Sequence, residues 1–234
     1  MSDQVFTIGS GRSGTKSMSV ILSTVFRKSF HEYKQLTGER RKAYLDLKYK
    51  GPGLISKINK YKQMGAFHDS DNCNTMFIHH LCRAFPQAKI LLPVGSLISF
   101  IRAHRVWGIM TLKDKNVNTR AFPPSNPAWK HWPVVVRLAW LWGKRNVEAI
   151  KRADKKRLMV FRIHHINDKL PEIFNFIEKP LNDKAIKVAS IKHNALNWPE
   201  EDVSVAESEI QQHMEQIIKI VRPFKRFLAQ FGIN

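Results

Sequence analysis

Short apolar runs alternate with stretches of helical periodicity along most of the chain. Residues 5–8, 29–33, 66–68, 89–92 and 157–163 read as strands, most of them too continuously apolar for a one-sided sheet. Helical spacing marks residues 16–26, 74–85, 97–107, 134–152 and 204–231. In the last of these Ile210, Met214, Ile217, Ile218 and Val221 form one apolar stripe, which core packing explains. Strands and helices alternating in this way predict an α/β fold: three layers, with a mostly parallel central sheet flanked by helices. One domain over residues 1–234 is expected. Two segments stand apart. Residues 34–64 read as a basic helical insertion, either a solvated face or a rim that draws in an anion. Residues 113–133, rich in Pro and Asn, read as a long loop and a lid.

Composition sharpens this picture. The 234 residues carry 39 Lys and Arg against 19 Asp and Glu, a formal charge of +20. Such a charge predicts anionic partners: phosphates, sulfates or polyanions. No zinc-finger, basic-zipper or RNA-recognition pattern accompanies it, so specific nucleic-acid reading is not expected. Cys73 and Cys82 are too few for a disulfide framework and read as a reduced interior pair. The chain shows no secretory pattern and no transmembrane segment, so the expectation is cytoplasmic. His79-His80 and His164-His165 are adjacent pairs; neighbours in sequence diverge on a helix or a strand, so neither pair is a chelate and no metal is expected. The six tryptophans read as core or lid residues, with stacking on a base open to one or two.

The most informative segment is Val5-Phe-Thr-Ile-Gly-Ser-Gly-Arg-Ser-Gly-Thr-Lys-Ser-Met18. A strand runs into glycines and hydroxyl residues, then into a helix. Glycine lets successive N–H groups turn inward, and the helix N-terminus adds partial positive charge. Arg12 and Lys16 add full charges, with Gly11, Ser13, Gly14, Thr15 and Ser17 lining the loop. A phosphate or pyrophosphate suits such a site. A Walker A loop has the form G-x-x-x-x-G-K-[ST]; here Thr15 separates Gly14 from Lys16, and the strand at 89–92 ends in Pro93-Val-Gly with no acid for Mg²⁺. A P-loop kinase is therefore the second reading, and a polyanion-binding module without catalysis the third.

Gly-Arg-Ser-Gly-Thr resembles the 5′-phosphosulfate loop of sulfotransferases that use 3′-phosphoadenosine 5′-phosphosulfate (PAPS). Further segments are similar to that family in the expected order over residues 4–180: Phe30-His31-Glu32, His68-Asp-Ser-Asp-Asn72, Phe85-Pro-Gln-Ala-Lys-Ile-Leu-Leu92, Arg105-Val-Trp107, Arg137-Leu-Ala-Trp-Leu-Trp142 and Asn175-Phe-Ile177. The resemblance implies a P-loop NTPase-like sulfotransferase fold and PAPS as donor, with PAP as product. It implies transfer to a hydroxyl or amine of an acceptor that the charge suggests is a glycan or another anionic molecule. By it Arg12 and Lys16 stabilise the leaving phosphate. Glu32 matches the family's catalytic base, His31 is the alternative, and His68 and Asp69 are candidates for the acceptor side. The family's 3′-phosphate arginine, normally just after the fourth strand, is missing: Pro93-Val-Gly-Ser96 stands there, leaving Ser96, Ser99, Arg102 or Arg105 to serve from shifted positions.

Overall fold

A computed structural model describes residues 4–10, 14–31, 52–71, 74–106, 129, 131–191 and 199–233. Five strands form one parallel sheet: β1 (Gln4–Thr7), β2 (Ser29–His31), β3 (Phe67–Ser70), β4 (Lys89–Val94) and β5 (Leu158–Arg162), in the order β2-β3-β1-β4-β5. The register sets Val5 beside His68 on one side and Lys89 on the other, so β1 is central. The loop after β1 thus emerges between the ends of β3 and β4, the crevice where open α/β sheets bind ligands.

Helices cover both faces. α1 (Thr15–Leu22), α6 (Ile166–Phe176) and α7 (Asp183–Ala189) enclose one core with Val5, Leu91, Met159 and Phe161. α2 (Pro52–Lys62), α3 (Asn74–Ala84), α4 (Leu97–Val106), α5 (Val134–Arg152), α8 (Glu200–Gln212) and α9 (Met214–Ala229) belong to the other, with Phe6, Ile90 and Leu92. Neighbouring strand residues go to opposite cores, as a period of two requires. Burial on both faces is why the strands are so continuously apolar.

Three expectations shift. The helix expected over 16–26 stops at Leu22, where Ser23 and Thr24 turn their hydroxyls onto the carbonyls of Val20 (2.6 Å) and Ile21 (2.7 Å). The C-terminal stretch is two helices meeting at His213 (φ −110, ψ 16), so that α8 packs on α4 while α9 packs on α5. Within its stripe Ile210, Ile217 and Val221 are buried, but Ile218 is half-exposed. Of the basic segment only residues 52–64 are described; of the expected lid, Trp129 and residues 131–133. Trp129 is buried edge-on to Trp140, 6.2 Å between ring centroids. Cys82 is a buried free thiol; Cys73 lies outside the described residues. No helix among the described residues is long and apolar enough to cross a membrane.

Candidate active site

The loop after β1 is held from three directions. Ile8 N–H extends the β1–β4 pairing to Leu91 O (2.9 Å). Thr75 clasps Gly9, accepting from its N–H (3.0 Å) and donating to its carbonyl (2.9 Å). Arg145, buried on α5, donates to Ser10 O. At the far end Gly14 caps α1 with φ 90, a left-handed conformation that disfavours any side chain, and a Cβ there would collide with Ile163. Ser70 Oγ donates to Thr15 O (2.5 Å).

This leaves the α1 N-terminus with no side-chain cap and no acid in its first turn. The N–H groups of Thr15, Lys16 and Ser17 have no partner within the helix itself. Thr15 is buried, Ser17 half-buried, and the Lys16 ammonium exposed. An anion at this end is favoured by the helix dipole and by the lysine together. Gly11, Arg12, Ser13 and Glu32 lie outside the described residues.

His31, at the end of β2, stands in register with Ser70, and its Nδ1 bonds Ser70 O (3.1 Å). A carbonyl only accepts, so Nδ1 carries the proton and Nε2 of the neutral ring keeps the lone pair. Through Ser70 this imidazole is linked to Thr15 and the first turn of α1.

His68 and Asp69 are fully buried and do not face an acceptor. Strand β3 lies between β2 and β1, so its side chains enter the two cores. Ser29 Oγ donates to Ser19 O (2.8 Å) and therefore accepts from His68 Nδ1 (2.9 Å); His68 Nε2 accepts from Thr7 Oγ1 (2.8 Å). Burial, then the nearby His31, pushes His68 down from 6.5 to about 3. A neutral buried imidazole stabilises the fold fully above the unfolded value of 6.5. Below it, stability falls by about 1.4 kcal/mol per pH unit until the folded value is reached. The more exposed His79, lowered to about 4 chiefly by burial, acts in the same window. We expect the melting temperature to drop between pH 6.5 and 4.5, and His68→Gln to remove up to about half of that slope in thermal scans; an unchanged slope would remove His68 as a source.

Under the loop lies a buried polar cluster that sequence reading missed. Lys57, only 1% exposed, donates to Asn74 Oδ1 (2.6 Å) and stands 3.6 Å from Asp71 Oδ2. Tyr61 and Asn74 (2.7 Å) both donate to Asp69 Oδ2. Burial raises Asp69, against the opposing pull of Lys57. The sequence offered a clue: Lys57 and Tyr61 share a helix face, and a cation on a buried face needs a partner. Arg145 gave the same signal among Leu141, Trp142 and Ala149. Asp71 also bears on the kinase reading. The acid absent after β4 has a counterpart after β3, the other neighbour of β1, but this carboxylate is engaged by Lys57.

On the β4 side, Ser96 caps α4, its Oγ accepting from Ser99 N–H (3.2 Å) and donating to Ser99 Oγ (2.7 Å). Arg102 and Arg105 turn to α8. Arg102 pairs with Glu207 (2.9 Å), and Arg105 grips Glu209 through two bonds of 2.7 and 2.5 Å, which raises Arg105 and lowers Glu209. Between the ends of β4 and β5 opens a cavity of about 410 Å³ lined by Gly95, Ser96, Trp142, Arg162, His164 and Lys225, among others.

A five-stranded parallel sheet with helices on both faces, its central strand leading into the helix α1, defines an α/β protein similar to sulfotransferase domains in fold. The chain belongs to the sulfotransferase domain family, whose family model matches residues 4–231. Among solved structures it is similar to the sulfotransferase domain from the curacin biosynthetic pathway: TM-score 0.52 and 15% identity, over 88% of this chain and 96% of that one. The sulfotransferase domain from the Synechococcus PCC 7002 olefin synthase aligns at TM-score 0.48 and 13% identity, over 87% of this chain and 93% of that one. The first of these likenesses carries the fold alone. No curated protein matches.

Proposed function

We propose that the protein transfers a sulfuryl group from PAPS to a hydroxyl or amine of an anionic acceptor, such as a glycan. The observation that carries this reading is the uncapped, acid-free N-terminus of α1 with Lys16 exposed at its first turn, in a chain of the sulfotransferase family. PAPS supplies the activated sulfuryl group; the acceptor oxygen attacks sulfur as the bond to the phosphate oxygen breaks. The residues present fit such a donor. The N–H groups of Thr15, Lys16 and Ser17, with Gly11, Arg12, Ser13 and Gly14 before them, hold the leaving phosphate, and Lys16 stabilises charge on its bridging oxygen. The acceptor proton goes to the end of β2, where Glu32 follows His31. His31 is oriented for this by Ser70, with Nε2 as the accepting atom. Ser96 and Ser99 flank the β4 end of the site, and Arg102 would leave Glu207 to join them. The charge of +20 favours an anionic acceptor through long-range attraction.

Thermal scans with PAP and with ADP–Mg²⁺ test this. PAP at about 100 times its dissociation constant adds about 2.7 kcal/mol, a rise of roughly 5–10 °C for a chain of this size. A flat response to millimolar PAP defeats the proposal, and a larger shift with ADP–Mg²⁺ favours the kinase reading.

A further inference from the structure

We propose that Arg137 anchors the acceptor: its guanidinium, with the indole of Trp129 beside it, grips a carboxylate or sulfate that the acceptor carries. Naming the acceptor as the source of that oxyanion rests on the sulfuryl-transfer reading above.

The starting observation is a buried cation with no carboxylate to balance it. Arg137 is 6% exposed, and its Nε is closed off and unbonded. The guanidinium makes no hydrogen bond or ion pair with any described residue. Burial alone lowers it, with no carboxylate pulling it back up. Among the described residues the other buried cations are engaged: Lys57 with Asn74 and Asp71, and Arg145 with Ser10 O. Arg137 has instead an aromatic wall, its guanidinium carbon 5.4 Å from the ring centre of Trp129. The N–H of that indole is also buried and unbonded. A cation and a neutral donor, both lacking acceptors, thus lie against each other. An oxyanion satisfies both and cancels the charge, whereas a neutral acceptor leaves the charge buried. A planar fork stacked on a ring suits the two-oxygen edge of a carboxylate or sulfate.

The placement fits an acceptor. α5 runs toward the start of β5, so its own beginning lies at the opposite edge of the parallel sheet, where the loop after β1 emerges. From α5, Trp142 Nε1 donates to Gly95 O (3.1 Å) just past β4, and Arg145 donates to Ser10 O just past β1. Arg137 precedes Arg145 by two turns of the same helix, about 12 Å further along the axis at 1.5 Å per residue. It therefore stands on the outer side of the loop, away from the strands. A donor phosphate at the α1 N-terminus leaves that outer side to the acceptor, which must meet sulfur opposite the breaking bond. Arg137 takes no part in the transfer step itself; it holds a charge elsewhere on the acceptor and so positions the attacking oxygen.

Thermal scans of the full chain saturated with PAP, in sodium sulfate and in sodium chloride at matched ionic strength, test this. PAP fills the donor site, so sulfate reports on what lies outside it. Sulfate at about ten times its dissociation constant should raise the wild-type melting temperature over chloride by roughly 3–6 °C. Arg137→Met, which fills the space without the charge, should lose most of that rise. In chloride it should melt no more than about 2 °C below wild type, because an apolar side chain replaces a charge that no protein group balances. A purely structural Arg137 gives the reverse, a lower melting temperature in chloride with the sulfate rise intact, and that result overturns the inference. Lys219→Ala, which removes an exposed cation of α9, controls for net charge and should keep the full rise. If Arg137→Met does not fold, Arg137→Lys decides: it keeps the charge but not the fork and should lose about half the rise, and a full rise overturns the inference. Calorimetry should find PAP affinity within about threefold of wild type in the variant that folds; a larger loss assigns Arg137 to the donor and also overturns it. Failure of the wild type to bind PAP overturns the donor assignment instead, and the same sulfate comparison without PAP then still decides whether Arg137 holds an oxyanion.

Discussion

Replacing Lys16 by alanine should lower kcat with PAPS by about 10²- to 10³-fold, the usual cost of removing one donor from a developing oxyanion. The ammonium is exposed at the first turn of α1, where neither a cap nor an acid competes for the anion. Charge on the bridging oxygen grows as the bond to sulfur breaks, so this lysine matters most in the transition state. Binding of PAP should weaken far less than turnover falls, because backbone N–H groups still hold the phosphate. The melting temperature without ligand should stay within about 2 °C, since an exposed side chain contributes little to stability. Turnover and PAP binding measured on the same preparation decide the matter. A kcat within threefold of wild type would show that Lys16 does not face the reacting oxygen.

Lys57→Met should produce the largest loss of stability. The ammonium is almost fully buried beside Asn74 and Asp71, with Asp69 in the same cluster. Methionine fits the space but leaves buried carboxylates without their cation. Removing one partner of a buried ion pair costs about 3–5 kcal/mol, or a fall of roughly 10 °C in melting temperature for a chain of this size. The variant should recover part of this loss as pH falls, because a carboxylate without its cation is more stable protonated in the interior. Adding Asp71→Asn should also recover part of it. Calorimetry at pH 7 and pH 5 reads both effects, and a single variant melting within 2 °C of wild type would rule out the buried pair as a support. The cluster lies close to the site: Thr75, which clasps Gly9, follows Asn74, and Ser70, which holds Thr15 and His31, precedes Asp71. Loss of Lys57 should therefore loosen the loop after β1 as well as the core.

These two lysines show what sequence reading draws on. Lys16 was singled out from local features alone: a strand, glycines, a hydroxyl run and a helix start lie within a few residues, and the structure has the strand and the helix start where those features put them. Lys57 was read as one charge in a basic segment. Its burial follows from the approach of α2 to the start of α3, which no local pattern encodes. His68 and Asp69 misled for a related reason. They end an apolar strand, but only the sheet order shows that β3 is interior, with β2 outside it.

By itself the chain determined its alternation of strands and helices, the passage from its first strand into a helix and its sulfotransferase resemblance, because hydrophobic period and glycine-bearing turns act over a few residues. Tertiary structure decided which side chains meet across long stretches of sequence: Arg145 with Ser10, Arg102 with Glu207, and Gly95 with Arg162 and Lys225 around one cavity. A charged side chain takes its partner from whatever the packed helices and strand order bring within a few ångströms, and that proximity exists only once the chain has folded.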